Sequence, residues 1–559
     1  MMKREKKVKS LFKSLTLAFV TLALALTAAC GKANPPPPAG DQSELQGDIT
    51  LALPWGGADM MIIQGVMEAY TEINPKVNMR YKFVATEEYP QYMNTSLSTD
   101  DLNNLDFDII LSGLVSSSLK NSKKLVDYAQ YLSDENPYYD DQVWMDTMNP
   151  IAYPAQGSKG EIFALSFDNT HIVFAYNKEI TDAAGVDPSE FETWDGFVGA
   201  CAKIQAYGKV PLAMAGDQES FSSRMMGWLM SVYVDQYFRD TAELAHAQPG
   251  DWNYNPRVDA GWEYAPYPEI TENMTEEDVA AAWNAAYYND TSQQYTENEL
   301  RVLKALRDDE VGPINKKYQN MLANIAEVLP KYTLPNFTAL NSGNMISRFL
   351  NQDAAITLQQ AYYVYTNYLQ RNKPFEIGFF DFPPMSANQR FPELKDYGPD
   401  CDYTRSVGGA LGSIGIINKN TAQTRLCIDF MKFWSSRQGQ YASFDTRKVL
   451  GEPLLTVPNV KGVEVPEELL FGYEPMVFKG SADSNPASMF AKGLNYESYT
   501  LSAFQRNITG LFASTPDYSA ISLYGTTMQR EIKDNMYRYF ALRGYSPDCL
   551  SNVAANPFI

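Results

Sequence analysis

The residues from which a zinc site or a nucleophilic centre is usually built are few in this chain. There are two histidines, His171 and His246, and five cysteines, Cys30, Cys201, Cys401, Cys427 and Cys549. With no Cys-x-x-Cys pair and no His-rich run, a zinc site and a His-based triad are both poor readings. No metal and no cofactor is expected. Carboxylates are plentiful, with 67 Asp and Glu against 46 Lys and Arg. A glycosidase needs two of them about 5–9.5 Å apart across the scissile bond, and no pair here sits in a recognisable catalytic frame. Binding chemistry is better represented. The chain holds 36 Tyr, 28 Phe and 8 Trp, residues that fill cores but also line wet ligand surfaces. Two short loops stand out, Pro54-Trp55-Gly56-Gly57-Ala58-Asp59 and Ser112-Gly113.

The 559 residues are enough for several domains, and 45% hydrophobic with 20% charged residues is ordinary globular composition. The formal net charge of -21 repels phosphate backbones, so nucleic acid is an unsuitable partner. The blocks Asp100-Asp101, Asp140-Asp141 and Glu276-Glu277-Asp278 read as solvated faces and helix N-termini. The four internal cysteines are compatible with pairing in an oxidising compartment or with free buried thiols.

Residues 1–29 read as a secretory signal: a basic start (Lys3, Arg4, Lys6, Lys7, Lys9, Lys13) and an apolar run over 15–29 that is too short for an ordinary membrane span. Its end, Leu26-Thr27-Ala28-Ala29-Cys30-Gly31, resembles a bacterial lipobox, although Thr27 stands where Leu is usual. That resemblance makes Cys30 the lipidated (palmitate-type) first residue of the mature chain, with a plain secretory signal as the alternative. Residues 30–47, with Pro35-Pro36-Pro37-Pro38, form an extended tether.

The loops named above are placed by the elements around them. Strand patterns at 48–53, 77–84 and 107–111 alternate with helical patterns at 60–74 and 89–97. Alternation of this kind predicts α/β architecture with a mainly parallel sheet, whose ligands sit beyond the carboxyl ends of the strands. Trp55-Gly56-Gly57 and Ser112-Gly113 both fall at such ends. Residues 161–217 read strand, helix, turn, helix, strand, and 218–237 read as one helix. Residues 239–315, rich in Asp, Glu, Asn, Pro and Tyr, read as added helices and loops. Beyond them a helix over 318–332, a helix–strand unit over 349–358, a strand over 374–380 and the Gly-rich run 406–417 complete the framework.

Five motifs in order give the chain a resemblance. They are Tyr176-Asn177-Lys178 followed by Gly185-Val186-Asp187-Pro188; Thr193-Trp194-Asp195-Gly196-Phe197; Gly208-Lys209-Val210-Pro211-Leu212-Ala213; Phe349 to Ile356; and Gly408-Gly409 leading to Phe433-Trp434 and Gln438-Gly439. The chain resembles the sugar-type extracellular solute-binding proteins of ABC importers, the family that includes maltose-binding protein. The resemblance covers roughly 48–235 and 318–445; the 239–315 insertion has no clear counterpart and the end of the chain matches only loosely. It implies a two-lobe, hinge-linked α/β fold of the periplasmic-binding-protein type II, with ligand in the cleft. One lobe would be 48–168 plus 412–455, the other 170–410 plus 456–559.

The same resemblance implies a cleft lined by Trp55, Gly56, Asp59, Ser112 and Gly113 from one lobe and by Asp168 and Asn169 at the first crossing. Phe221, Arg224, Gln359, Gln360 and Tyr362 would come from the other lobe, with Gly408 and Gly409 at the second crossing. Polar groups of these kinds suit ring hydroxyls, and aromatics suit an apolar ring face. Each residue also has a plain structural reading, Trp55 as a core ring and Asp168 as a turn cap among them. The expected function is capture of a carbohydrate, an oligosaccharide foremost, and delivery to ABC-permease subunits by a monomer lipid-anchored outside the cell. A non-sugar solute, receptor-linked sensing and an extracellular carbohydrate-active enzyme are the alternatives.

Overall fold

The computed structural model describes residues 45–115, 123–149, 152–153, 161–275, 277–279, 281–283, 295–335, 337–405, 410–470, 481–494 and 497–558. Cys30, Gly408, Gly409 and nearly all of the tether lie outside the described residues. The strands that matter for the site are β1 (Gly47–Leu53), β2 (Val77–Phe83), β3 (Ile109–Leu111), β4 (Asp168–Thr170), β5 (Ile172–Asn177), β6 (Val210–Ala213), β7 (Ala354–Gln360), β8 (Ile377–Phe380), β9 (Ala410–Leu411), β10 (Ile414–Ile416) and β11 (Thr456–Pro458). The principal helices are α1 (Gly57–Ile73), α2 (Tyr89–Ser96), α3 (Lys178–Ala183), α4 (Trp194–Ala206), α5 (Met226–Tyr237), α6 (Glu299–Arg307), α7 (Lys316–Val328), α8 (Ser342–Leu350), α9 (Ala361–Gln370), α10 (Thr421–Trp434), α11 (Arg437–Leu450), α12 (Ser498–Leu511) and α13 (Tyr518–Arg543).

The first sheet has the order β10-β3-β1-β2. Period-two alternation gives it two apolar faces. Ile49, Leu51 and Leu53 of β1 pack with Ile63, Val66, Met67 and Tyr70 of α1 and with Phe430 and Phe433 of α10. Ala52 and Ile110 face the other way, toward Tyr89 and Met93 of α2. β1 runs parallel to β2 and β3, and only β10 is antiparallel.

The second sheet, β8-β5-β7-β6, departs from the expectation of a mainly parallel sheet. β5 is antiparallel to both neighbours, β7 and β8; only β6 and β7 are parallel. β6 and β7 are joined through α5 to α8, the long connection a parallel pair requires. β5 is buried throughout and β7 nearly so, the pattern of strands covered on both faces.

Local signals start the helices where the sequence places them. The Thr193 hydroxyl accepts from the Gly196 N–H at 3.2 Å to start α4, and Asn420 accepts from Gln423 N–H at 3.1 Å to start α10. The helix expected over 218–237 forms, with helical backbone throughout and one irregularity. A turn at Gln218–Ser220 passes into a π-turn at Phe221–Met225 before α5. The Ser222 hydroxyl donates back to the Gln218 carbonyl, and Phe221 is wedged edge-on against Phe337 and Phe512.

A third sheet, β9-β4-β11, lies between the other two in the chain's course and is antiparallel throughout. Leu454 packs in a cluster with Tyr139 and Phe444, whereas Leu455 joins the core of the second sheet. Residues 459–463, which the resemblance groups with the second lobe, hydrogen-bond to the first-lobe side instead: Lys461 N–H donates to the Thr147 carbonyl at 2.9 Å, and Val460 and Val463 pack on Phe444 of α11.

The ends of the insertion are tied by a bridge between His246 and Glu297 and by Arg301, which donates two bonds of 2.9 Å to Asp251. Deeper in the second lobe, the Asp235 carboxylate accepts from Arg239 at 2.6 Å, Arg405 at 2.6 and 3.1 Å and Asn485 at 2.9 Å. Cys201, Cys401, Cys427 and Cys549 are buried free thiols.

Candidate functional site

The carboxyl ends of β1, β2 and β3 and the third sheet meet along one edge. There the Trp55 carbonyl accepts from the Tyr81 hydroxyl at 2.6 Å. The Trp55 indole lies against the chain at Gly412, where φ is +71° and an added Cβ would stand 2.9 Å from the indole Cζ2. Both the backbone angle and the ring demand glycine. A Gly412→Ala protein is expected to lose about 1–3 kcal/mol of stability in urea denaturation followed by tryptophan fluorescence. An unchanged midpoint would show that ring and backbone yield freely.

Ser112 is buried, and its N–H and hydroxyl both donate to the Ser413 carbonyl, at 2.7 and 3.0 Å. The hydroxyl is committed to joining the first sheet to the strand after Gly412. Gly113 lies beside the same Ser413.

Asp59, in the first turn of α1, receives a hydrogen bond from the Tyr362 hydroxyl at 3.4 Å. Tyr362 opens α9, which follows β7 of the second sheet, so this contact spans from one lobe to the other. Burial raises the Asp59 carboxyl above the usual carboxylate range, while the Arg447 charge pulls it back. Asp168 lies in the middle strand of the third sheet. Its Oδ1 is buried without a hydrogen-bond partner among the described residues. Burial pushes this carboxyl up to about 6, and the same Arg447 opposes the shift. Arg447, in the last turn of α11, donates to the Pro453 carbonyl at 3.2 Å. Its charge thus serves both acids.

Gln359 is buried at the end of β7; its Oε1 accepts from the Gln360 N–H at 3.0 Å, and its Nε2 is buried without a partner among the described residues. Gln360 pairs across β5 with Ile172. Asn169 is buried in β4, between Ala410 and Val457. Arg224 is exposed on the π-turn. Phe221 is held in the core of the second lobe.

The charge of Arg447 therefore reaches both Asp59 and Asp168, Tyr362 bonds Asp59 from the other lobe, Trp55 packs on Gly412 with Gly113 beside Ser413, and Phe221 stays in the core. Arg447 was not anticipated. A basic residue in a helix's last turn reads as ordinary dipole pairing, so no sequence signal distinguished it. Phe83 was not singled out either: it ends the alternation Val77, Met79, Tyr81, Phe83 at the very end of its strand and is exposed there. Among the described residues no group of three or more His, Cys, Asp or Glu is placed to hold a metal ion, and no helix is long and apolar enough to cross a membrane.

Two lobes, each built on its own sheet, with polar and aromatic groups meeting between them, define a two-lobe solute receptor of the periplasmic-binding-protein type. A probable secreted solute-binding lipoprotein from Streptomyces coelicolor shares this architecture, with a TM-score of 0.51, 11% identity, and coverage of 86% of this chain and 98% of that one. The pattern of the bacterial extracellular solute-binding protein family matches residues 66–456, more than half of the sequence, and the chain belongs to that family of binding proteins. A family 1 extracellular solute-binding protein from Bifidobacterium longum subsp. infantis gives a TM-score of 0.49 at 12% identity, covering 87% of this chain and 99% of that one. The apo form of RafE from Streptococcus pneumoniae gives 0.48 at 12%, covering 88% and 99%. No curated protein sequence matches the chain.

Proposed function

We propose that this protein captures a carbohydrate, an oligosaccharide foremost, between its two lobes outside the cell and hands it to the permease subunits of an ABC importer. The observation that supports this reading is the meeting of Asp59 and Tyr362 between the lobes, beside Trp55 and the exposed ends of the first sheet. Carboxylates and amides there suit ring hydroxyls, and aromatic rings suit the apolar face of a sugar. Trp55, Gly56, Asp59, Asp168, Asn169, Arg224, Gln359, Gln360 and Tyr362 are the contacts we assign. Gly408 and Gly409 complete the set from outside the described residues.

In this reading the third sheet is the hinge. Ligand favours the closed arrangement through contacts it makes with both lobes at once. Residues 1–29 direct export, lipidated Cys30 anchors the protein at the outer face of the cytoplasmic membrane, and residues 30–47 hold the monomer off the lipid. One acyl chain alone binds weakly, so stable anchoring needs more than one.

Thermal-shift titration with mono- and oligosaccharides tests the function. One saccharide class is expected to raise the melting temperature, with about 2.7 kcal/mol of added stability at a hundredfold excess over its dissociation constant. The sugar should be recovered unchanged. Cleaved products would overturn the binding role, and a flat response to every saccharide would overturn the carbohydrate.

A further inference from the structure

We infer that Phe83 is a specificity-determining residue of the interlobe site: its ring, resting on Gly56, is the first-lobe surface that takes the apolar face of a ring-shaped ligand unit. The inference rests on the carbohydrate reading and names how that ligand is recognised.

Phe83 stands apart from the rest of its strand. Side chains two apart share a face, so Val77, Met79, Tyr81 and Phe83 all project to the side occupied by α1. Val77 is buried, and Met79 and Tyr81 pack against the core there. Phe83 continues that row but is 53% exposed, because the core ends before it does. It lies at the carboxyl end of β2, in register with Leu53 of β1, from which the chain turns into Pro54 and Trp55. Ligands of open α/β sheets are held beyond that edge.

The ring is also seated. An added Cβ on Gly56 would stand 3.1 Å from Phe83 Cε2 and 3.5 Å from Cζ, so the ring lies directly over the backbone that carries Trp55. Any side chain at position 56 would push the ring aside. One step inward on the same face, Tyr81 bonds the Trp55 carbonyl and stands near the Asp59 carboxylate. That carboxylate is the acceptor of the Tyr362 hydroxyl from the other lobe. An apolar ring thus stands near a carboxylate that accepts a hydroxyl, a combination that suits the C–H face and the hydroxyl rim of a pyranose. Phe has no polar handle of its own, so its contribution is the apolar surface it offers to the C–H face of a ring.

The test uses the mature protein and its Phe83→Ala and Phe83→Tyr variants, titrated calorimetrically with raffinose, maltotriose and xylotriose. For whichever saccharide the wild type binds, Phe83→Ala is expected to weaken binding about tenfold or more, or about 1.4 kcal/mol. Phe83→Tyr, which keeps the ring, is expected to stay within about threefold of wild type. Melting temperatures without sugar should agree, since half of the ring is already in water. Equal affinity for wild type and Phe83→Ala overturns this inference and leaves the carbohydrate reading standing. A wild type that binds none of the three, nor any other saccharide in the thermal-shift titration, overturns both. A Phe83→Tyr protein as weak as Phe83→Ala also overturns the inference, since the ring would then not be what the ligand reads.

Discussion

Replacing Asp235 with alanine is expected to destabilise the protein by about 3–5 kcal/mol, the largest single-residue effect outside the apolar cores. The carboxylate has no exposed surface, and the guanidiniums of Arg239 and Arg405 beside it are 4% and 3% exposed. Three segments far apart in sequence converge on it: α5, the stretch around Arg405, and Asn485, whose amide also donates to the Phe238 carbonyl at 3.1 Å. Truncation would take from two buried cations the carboxylate they share, and removing one member of a buried ion pair costs far more than the intact pair gains. Urea denaturation read by circular dichroism measures the loss. A shift under about 1 kcal/mol, the worth of an exposed pair, would show that water reaches the cluster.

The second effect runs in the stabilising direction. Asp168→Asn is expected to melt higher than wild type at pH 7.5 and level with it at pH 4. The folded-state carboxyl is pushed up to about 6, above the ordinary 3.8, so the folded protein holds this proton more tightly than the unfolded chain does. Stability from the group is complete below about pH 4 and declines as pH rises through 6. The gap corresponds to about 3 kcal/mol at 1.36 kcal/mol for each pH unit. Asparagine carries no charge to desolvate, but it also gives up the attraction of Arg447, so the gain at pH 7.5 is expected to be about 1–3 kcal/mol. Melting temperatures at pH 4, 6 and 7.5 read it. An increment that is the same at all three values would mean that ionisation is not the cause.

What could be read in the sequence was what is local. Thr193 and Asn420 announce the helices they cap because a cap bonds only to the next turn. The Gly185-Val186-Asp187-Pro188 turn is equally self-contained: Asp187 accepts from the Ser189 N–H at 2.9 Å, and Glu190 reaches back to the Asp187 N–H at 2.8 Å. Asp59 and Tyr362 were both candidates, yet they stand 303 positions apart in sequence and no short pattern carries their meeting. The same holds for Arg447, whose charge reaches Asp59 and Asp168 only in the folded chain. Phe221 failed for a different reason. An aromatic after a strand suits a cleft wall and a core equally, and the partners that hold it in the core, Phe337 and Phe512, lie far along the chain. The antiparallel set of β5 was hidden because strand direction belongs to the pairing, not to the strand.

One consequence of the first sheet concerns the order in which the molecule can assemble. Every strand of the second sheet falls within residues 172–380, one unbroken stretch, whereas β3 waits for β10, made some three hundred residues later. As the chain is synthesised from its amino end, the second sheet can pair completely while the first still has an open edge at β3, although the core around that second sheet waits for residues 482–550. Closing a loop of that length delays the pairing, since its entropy must be met before any contact forms. The sheet begun first closes after the second one.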